Sequence, residues 1–170
     1  TAIDVAERSG GASVSLRCQG SSDGSAEISV QAVLGNDWSD SGLGLIQVRG
    51  LNLRGAIKVA AEGRITDWRV DGGAQEMAWR NITAERIDLR ARGKSRREDT
   101  VAELTLAQAK GAGLELRRVK LDARPISGDG YRIAFGILSD GSTASGSAIL
   151  ASTGAVTAAI SHAHLSGAEI

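Results

Sequence analysis

The sequence predicts an all-β chain, a long antiparallel meander of about ten to fourteen strands whose sheet curls. Three observations predict it. Apolar and polar residues alternate with period two in segment after segment. In "ERIDLRARG", for example, Ile87, Leu89 and Ala91 point one way and Arg86, Asp88, Arg90 and Arg92 the other. The interruptions are turn formers: the one proline is Pro125, and the breaks fall at "GSSDGS", "GNDWSDSG", "VDGG", "SGDG" and "SDGSTASG". In two segments the apolar register slips by one residue. A strand absorbs such a slip with a bulge, and bulges bend sheets.

The elements follow in order. "ASVSLRCQG" sets Val14, Leu16 and Cys18 on one face, and "AEISVQA" does the same with Ile28 and Val30. At the first slip, Leu43 and Leu45 share one parity while Ile46 and Val48 take the other. "LNLRG" and "AIKVAAEGRI" continue the alternation with Leu51, Leu53, Ile57, Val59 and Ala61. After the strand around Ile87, "TVAELTLAQAKG" has the length of a three-turn helix. Leu104 and Leu106 nevertheless fit period two, and its neighbours read as strands. "GLELRRVKLDAR" carries the second slip, from Leu114 and Leu116 to Val119 and Leu121, and "GYRIAFGIL" closes the series with Ile133, Phe135 and Ile137. Two short strands meeting end to end would produce the same slips.

One quartet recurs: "VSLR" at Val14, "LNLR" at Leu51, "IDLR" at Ile87 and "LELR" at Leu114, with starts 37, 36 and 27 residues apart. A period of this length is expected to hold three or four strands with their turns, in an array that lengthens by adding units.

With 170 residues, 42% apolar and 24% charged, the chain is globular in type and long enough for one β-rich segment, residues 1–170, to bury a core. Twenty basic residues balance twenty acidic ones, so no overall field recommends nucleic acid or an anionic membrane surface as partner. The cluster "RARGKSRRED" runs straight into acids and reads as a solvated loop. Cys18 is the lone cysteine, which leaves no intrachain disulfide and no thiol pair for zinc. No apolar run approaches the ~18 residues of a membrane span. Thr1 begins neither with Met nor with a signal peptide, and the chain is expected to be an internal piece of a longer, repeat-built protein.

Candidate chemistry is sparse. His162 and His164 in "SHAHL" share one strand face and could chelate, but only Glu169 stands near as a further ligand, and no metal is expected. "RGKS" ends like a phosphate loop, yet the first glycine of that pattern falls at Asp88 inside a strand. "NDWSDSG" lacks the spacing and closing Glu of a calcium loop, and "NIT" at Asn81 matches a glycosylation acceptor at the level of chance. The serines of "SDGSTASGSA" have no nucleophile elbow and no placed base, and Glu62 and Asp67 have no spacing that dictates a shared site. The expectation is a non-enzyme without cofactor.

What covers the apolar face is left open. The aromatic residues are Trp38, Trp68, Trp79, Tyr131 and Phe135, few for filling the space between two sheets. Medium aliphatics and Ala suit either a narrow coil packed on itself or a groove open to something flexible and oily.

The segments "VAAEGRITDWRVDGG", "ITAERIDLRARG" and "LAQAKGAGLELRRVKLDAR" resemble the repeated strands of the bacterial AsmA-like superfamily, with its TamB-like and YdbH-like members. These are long envelope proteins similar to bridge-like lipid transfer proteins. The likeness covers most of residues 43–124 and is one of strand texture with charged outer faces. It implies an open trough, or β-taco, with an apolar concave face. By that resemblance the residues lining a lipid groove would be Val14, Leu16, Ile28, Val30, Leu51, Leu53, Ile57, Val59, Ile87, Leu89, Leu104, Leu106, Leu114, Leu116, Ile133 and Phe135. Arg17, Arg54, Asp88 and Arg90 would lie outside. It further implies phospholipid acyl chains as ligand, a periplasmic location, a parent chain anchored in the inner membrane, and an outer-membrane protein partner reached through that parent. Two other architectures fit the same residues: a β-solenoid passenger or adhesin that fills its own interior, and a β-sandwich interaction module with clustered aromatics.

Overall fold

The structure, a computed structural model, describes residues 2–9, 12–34, 38–40, 46–111, 113–127 and 130–166. Leu43 and Leu45 of the first slip, Glu169, and Asn36, Asp37, Ser41 and Gly42 of "NDWSDSG" lie outside the described residues.

The fold is all-β. Its segments are β1 (Ala2–Ser9), β2 (Ala12–Gly20), β3 (Ala26–Leu34), β4 (Trp38–Asp40), β5 (Ile46–Arg49), β6 (Leu51–Val59), β7 (Ile65–Ala74), β8 (Glu76–Trp79), β9 (Ile82–Lys94), β10 (Val101–Gly111), β11 (Leu114–Ile126), β12 (Gly130–Leu138), β13 (Thr143–Leu150) and β14 (Val156–His164). All fourteen belong to one sheet. Its main path, β1-β2-β3-β6-β7-β9-β10-β11-β12-β13-β14, takes eleven strands in chain order, and β4, β5 and β8 form a branch that joins at β9. "TVAELTLAQAKG" is strand β10 rather than helix, because its apolar parity matches both neighbours: Leu104 stands opposite Leu89 and Leu121, and Leu106 opposite Ile87 and Val119. Of the cluster "RARGKSRRED", read as a loop, residues 90–94 instead continue strand β9, because Ala91 keeps the strand's apolar parity; only residues 95–99 form the exposed turn, around the 3-10 segment Arg97–Asp99.

β1 and β14 end the path without pairing to each other, so the sheet is open. Neither parallel rungs nor a second facing sheet occurs among the described residues, which separates this fold from a solenoid and from a sandwich. The quartet's four copies fall on β2, β6, β9 and β11, alternate strands of the main path; its first two periods hold four strands, β2 to β5, and three, β6 to β8, as expected, and the last holds two, β9 and β10. β9 and β11 each run 13 residues, well beyond the usual five or six.

One turn recurs along one end of the sheet. Gly24, Gly63 and Gly154 follow β2, β6 and β13 with φ of 83°, 80° and 83°, a left-handed conformation that costs glycine nothing sterically. In each, the chain closes with a hydrogen bond from the amide at the turn's start to the carbonyl four residues on: Ser21 to Ser25, Ala60 to Arg64, Ala151 to Ala155. In the first, the Ser25 hydroxyl and amide donate to Asp23 Oδ1 at 2.7 and 2.9 Å and hold that carboxyl below its ordinary pKa.

The polar face explains the zero net charge. Across it, Glu27, Lys58, Asp67 and Lys94 stand opposite one another in successive strands, and so do Arg54, Asp71, Arg90 and Glu103. Signs alternate from strand to strand, which favours this register over a slipped one.

Candidate functional site

The other face is apolar from β2 to β14, and in β1 Glu7 takes the register position opposite Val14. One row of cross-strand partners reads Leu16, Val30, Gly55, Val70, Ala91, Ala102, Ala123, Ile133, Ala148, Ala158, with Val5 at the matching register position of β1. A second reads Val14, Ala32, Leu53, Gly72, Leu89, Leu104, Leu121, Phe135, Gly146, Ile160. Eleven strands at about 4.8 Å give a band roughly 48 Å long, running across the strands.

A line of one-residue insertions crosses this band. Apolar residues step by three, not two, at Val48 to Leu51, Ala74 to Met77, Ala84 to Ile87, Leu106 to Ala109 and Leu116 to Val119. The register keeps pace: Val48, Met77, Ala84, Ala109 and Leu116 are partners on one side of the line, and Ala74, Ile87, Leu106 and Val119 on the other. The residues that lack a ladder partner within the long strands are Glu85, Gln108 and Arg117, side by side in β9, β10 and β11. Gly50 and Gln75 sit at the same level between β5 and β6 and between β7 and β8. Gln108 takes φ 50° and Gly50 φ 63°. Extra length on the polar side makes that side convex, so the line is a crease that folds the apolar face inward.

The crease divides the trough into unequal walls. The taller spans all eleven strands of the path. The shorter is built by β4, β5, β8 and the near ends of β9, β10 and β11, six strands or about 24 Å along the trough. Burial follows this geometry. Ala74, Ala84, Ile87, Leu106 and Ala109, all flanking the crease, are the buried apolar cluster, with Val48, Leu51, Met77, Leu104, Leu116 and Val119 half-buried around it. Where the short wall is missing the face opens: Val14 is 48% exposed, Val156 64% and Ile160 69%. Arg97, in the turn after β9, donates to the Gly130 carbonyl at 3.3 Å and stacks 5.2 Å from the Tyr131 ring, tying that turn to β12 across β11.

Every expected groove residue lies on this one face. Val14, Leu53, Leu89, Leu104 and Phe135 share the second row; Leu16, Val30 and Ile133 the first; Leu51, Ile87 and Leu106 flank the crease. Ile28 stands opposite Ile57, and Val59 opposite Ala26, near the rim of the tall wall. Leu116 and Leu114 belong to the short wall, Leu114 at its rim and 61% exposed. Arg17, Arg54, Asp88 and Arg90 take the opposite parity, on the polar face. Sequence reasoning omitted Val48, Met77, Ala84 and Ala109, which make the short wall. The three-residue step at each crease position was the signal that could have found them.

Two aromatic residues find their place on the trough by lying over a partner without a side chain. The Trp68 indole covers its cross-strand partner Gly93, and the Phe135 ring covers Gly146. His162 and His164 are exposed on edge strand β14, and no group of three or more metal-ligating side chains occurs among the described residues. Depressions on the polar face, such as one of 920 Å³ beside Arg54, Asp71, Arg86, Asp88 and Arg90, are open and lined by charges of both signs. No helix of the described residues is long and apolar enough to cross a membrane.

No family model, curated protein or solved structure matches the chain.

Proposed function

We propose that this chain is a lipid-binding segment of a bacterial envelope protein, one that shields phospholipid acyl chains in its trough as they pass between the inner and outer membranes. A single observation carries the reading: among the described residues no second sheet or helix covers an apolar face about 48 Å long, and outside the crease its aliphatic side chains are half-buried or exposed. Water is a poor occupant for such a space, and a methylene chain is a good one. About sixteen methylenes at ~0.8 kcal/mol each amount to roughly 10 kcal/mol gross, before the costs of ordering. Walls without hydrogen-bonding groups hold a chain without fixing its register, so it can slide. No catalytic residue is required. The resemblance to AsmA-like strands supports the same reading, and with it a periplasmic location, an inner-membrane anchor on the parent chain and an outer-membrane partner.

The test is mass spectrometry of lipids that copurify from a bacterial envelope fraction, with photo-crosslinking from position 89 on the trough face. Phospholipid in the mass spectrum and on the crosslinker supports the proposal. A folded protein that carries and crosslinks none, within its parent chain as well, refutes it.

A further inference from the structure

The trough is enclosed over only part of its length, and that part sets how many lipids it can hold. We infer that one phospholipid at a time occupies the six-strand, two-walled stretch of this segment, and that the single-walled flanks are passages rather than binding sites. This rests on the lipid-binding reading above.

The occupant's shape follows from the floor. Ile87 and Leu106 are each only 9% exposed with the trough empty, so the walls already meet at the crease. A helix or a second sheet needs about 8–10 Å of clearance, and a groove that wide would leave its floor wet. The side chains of Val48, Leu51, Met77, Leu104, Leu116 and Val119 pack against that floor and keep part of their surface exposed. An occupant that reaches them between the walls must be thin and flexible.

The number follows from length. A bilayer's hydrocarbon core of about 30 Å is two chains thick, so one chain spans about 15 Å. The stretch with both walls is about 24 Å long, set by six strands. It covers one chain length with margin and cannot cover two end to end. Beyond it, among the described residues, no second wall faces the path; Val14 and Leu16 on β2 and Val156 and Ile160 on β14 are exposed, and Ile133, Phe135 and Leu150 on β12 and β13 are half-buried. A chain lying there would leave one side in water and gain correspondingly less.

Two measurements on the 170-residue protein decide the matter. The first is native mass spectrometry during titration with detergent-dispersed phosphatidylglycerol of defined chain length. The second is crosslinking with the same lipid carrying a photoreactive group on its acyl chain. One lipid per protein at saturation, with crosslinks on Val48, Met77 and Leu116 and about tenfold fewer on Leu16 and Ile160, is the expected result. Met77→Glu should abolish the crosslinks, and Ile160→Glu should leave them unchanged. Two or more lipids at saturation, or equal crosslinking at Ile160 and Met77, overturns the inference while leaving lipid binding intact. No lipid under any condition overturns the binding reading itself.

Discussion

The unequal cover of the apolar face has a measurable consequence when one charge is placed at two positions on it. Leu106 flanks the crease and is 9% exposed, whereas Leu16 lies on the single-walled flank and is 38% exposed. Leu106→Asp removes three carbon groups worth ~0.8 kcal/mol each, about 2 kcal/mol after allowing for exposure. It also strands a carboxylate among Ile87, Ala84 and Ala109, which adds about 2–3 kcal/mol. A total of about 4–5 kcal/mol is a large fraction of the stability of a domain this size and corresponds to a fall in Tm of about 10–15 °C. Leu16→Asp loses less burial, and its carboxylate stays hydrated, so about 1–2 kcal/mol and less than about 5 °C are expected. Thermal melts followed by circular dichroism read both. Equal losses at the two sites would mean that something covers the flank as well as it covers the crease, and the open trough would be wrong.

Three further outcomes follow from single features. Gly93→Val places a Cβ where the Trp68 indole lies, 2.6 Å from Nε1, so the ring must leave; a loss of about 1–3 kcal/mol and a shift in tryptophan emission are expected. Gln108→Gly relieves a left-handed backbone at φ 50° and should change stability by between about 0 and +1 kcal/mol in chemical denaturation, whereas Gln108→Val at the same position should cost more than about 1 kcal/mol. Asp23, held by the Ser25 hydroxyl and amide, should titrate by NMR with a midpoint below 3.8. Its folded pKa is the lower one, so its contribution is present above the unfolded value and disappears as pH falls through the folded one. A midpoint unchanged by Ser25→Ala would refute that cause.

Much of this architecture is written in local sequence, because strand faces are set by parity alone. Ile87 and Leu89 must share a face whatever lies around them, and so must Leu104 and Leu106. The slip between Leu116 and Val119 was readable for the same reason, and it marks one point of the crease. The break at "GSSDGS" was readable from its turn formers, but "AIKVAAEGRI", read as one strand, reverses at Gly63, and "VDGG", read as a break, lies inside β7, because single glycines fit a strand interior as well as a turn.

Tertiary structure decided what several strands do together. A three-residue apolar step in one strand is a local irregularity. Its alignment in five neighbouring strands, from Val48 and Leu51 through to Leu116 and Val119, depends on the register of every pair between them, and ladder hydrogen bonds set that register across the sheet. Only that alignment turns separate bulges into a continuous crease, buries Ile87 and Leu106 without a second layer, and leaves Val14 and Ile160 open.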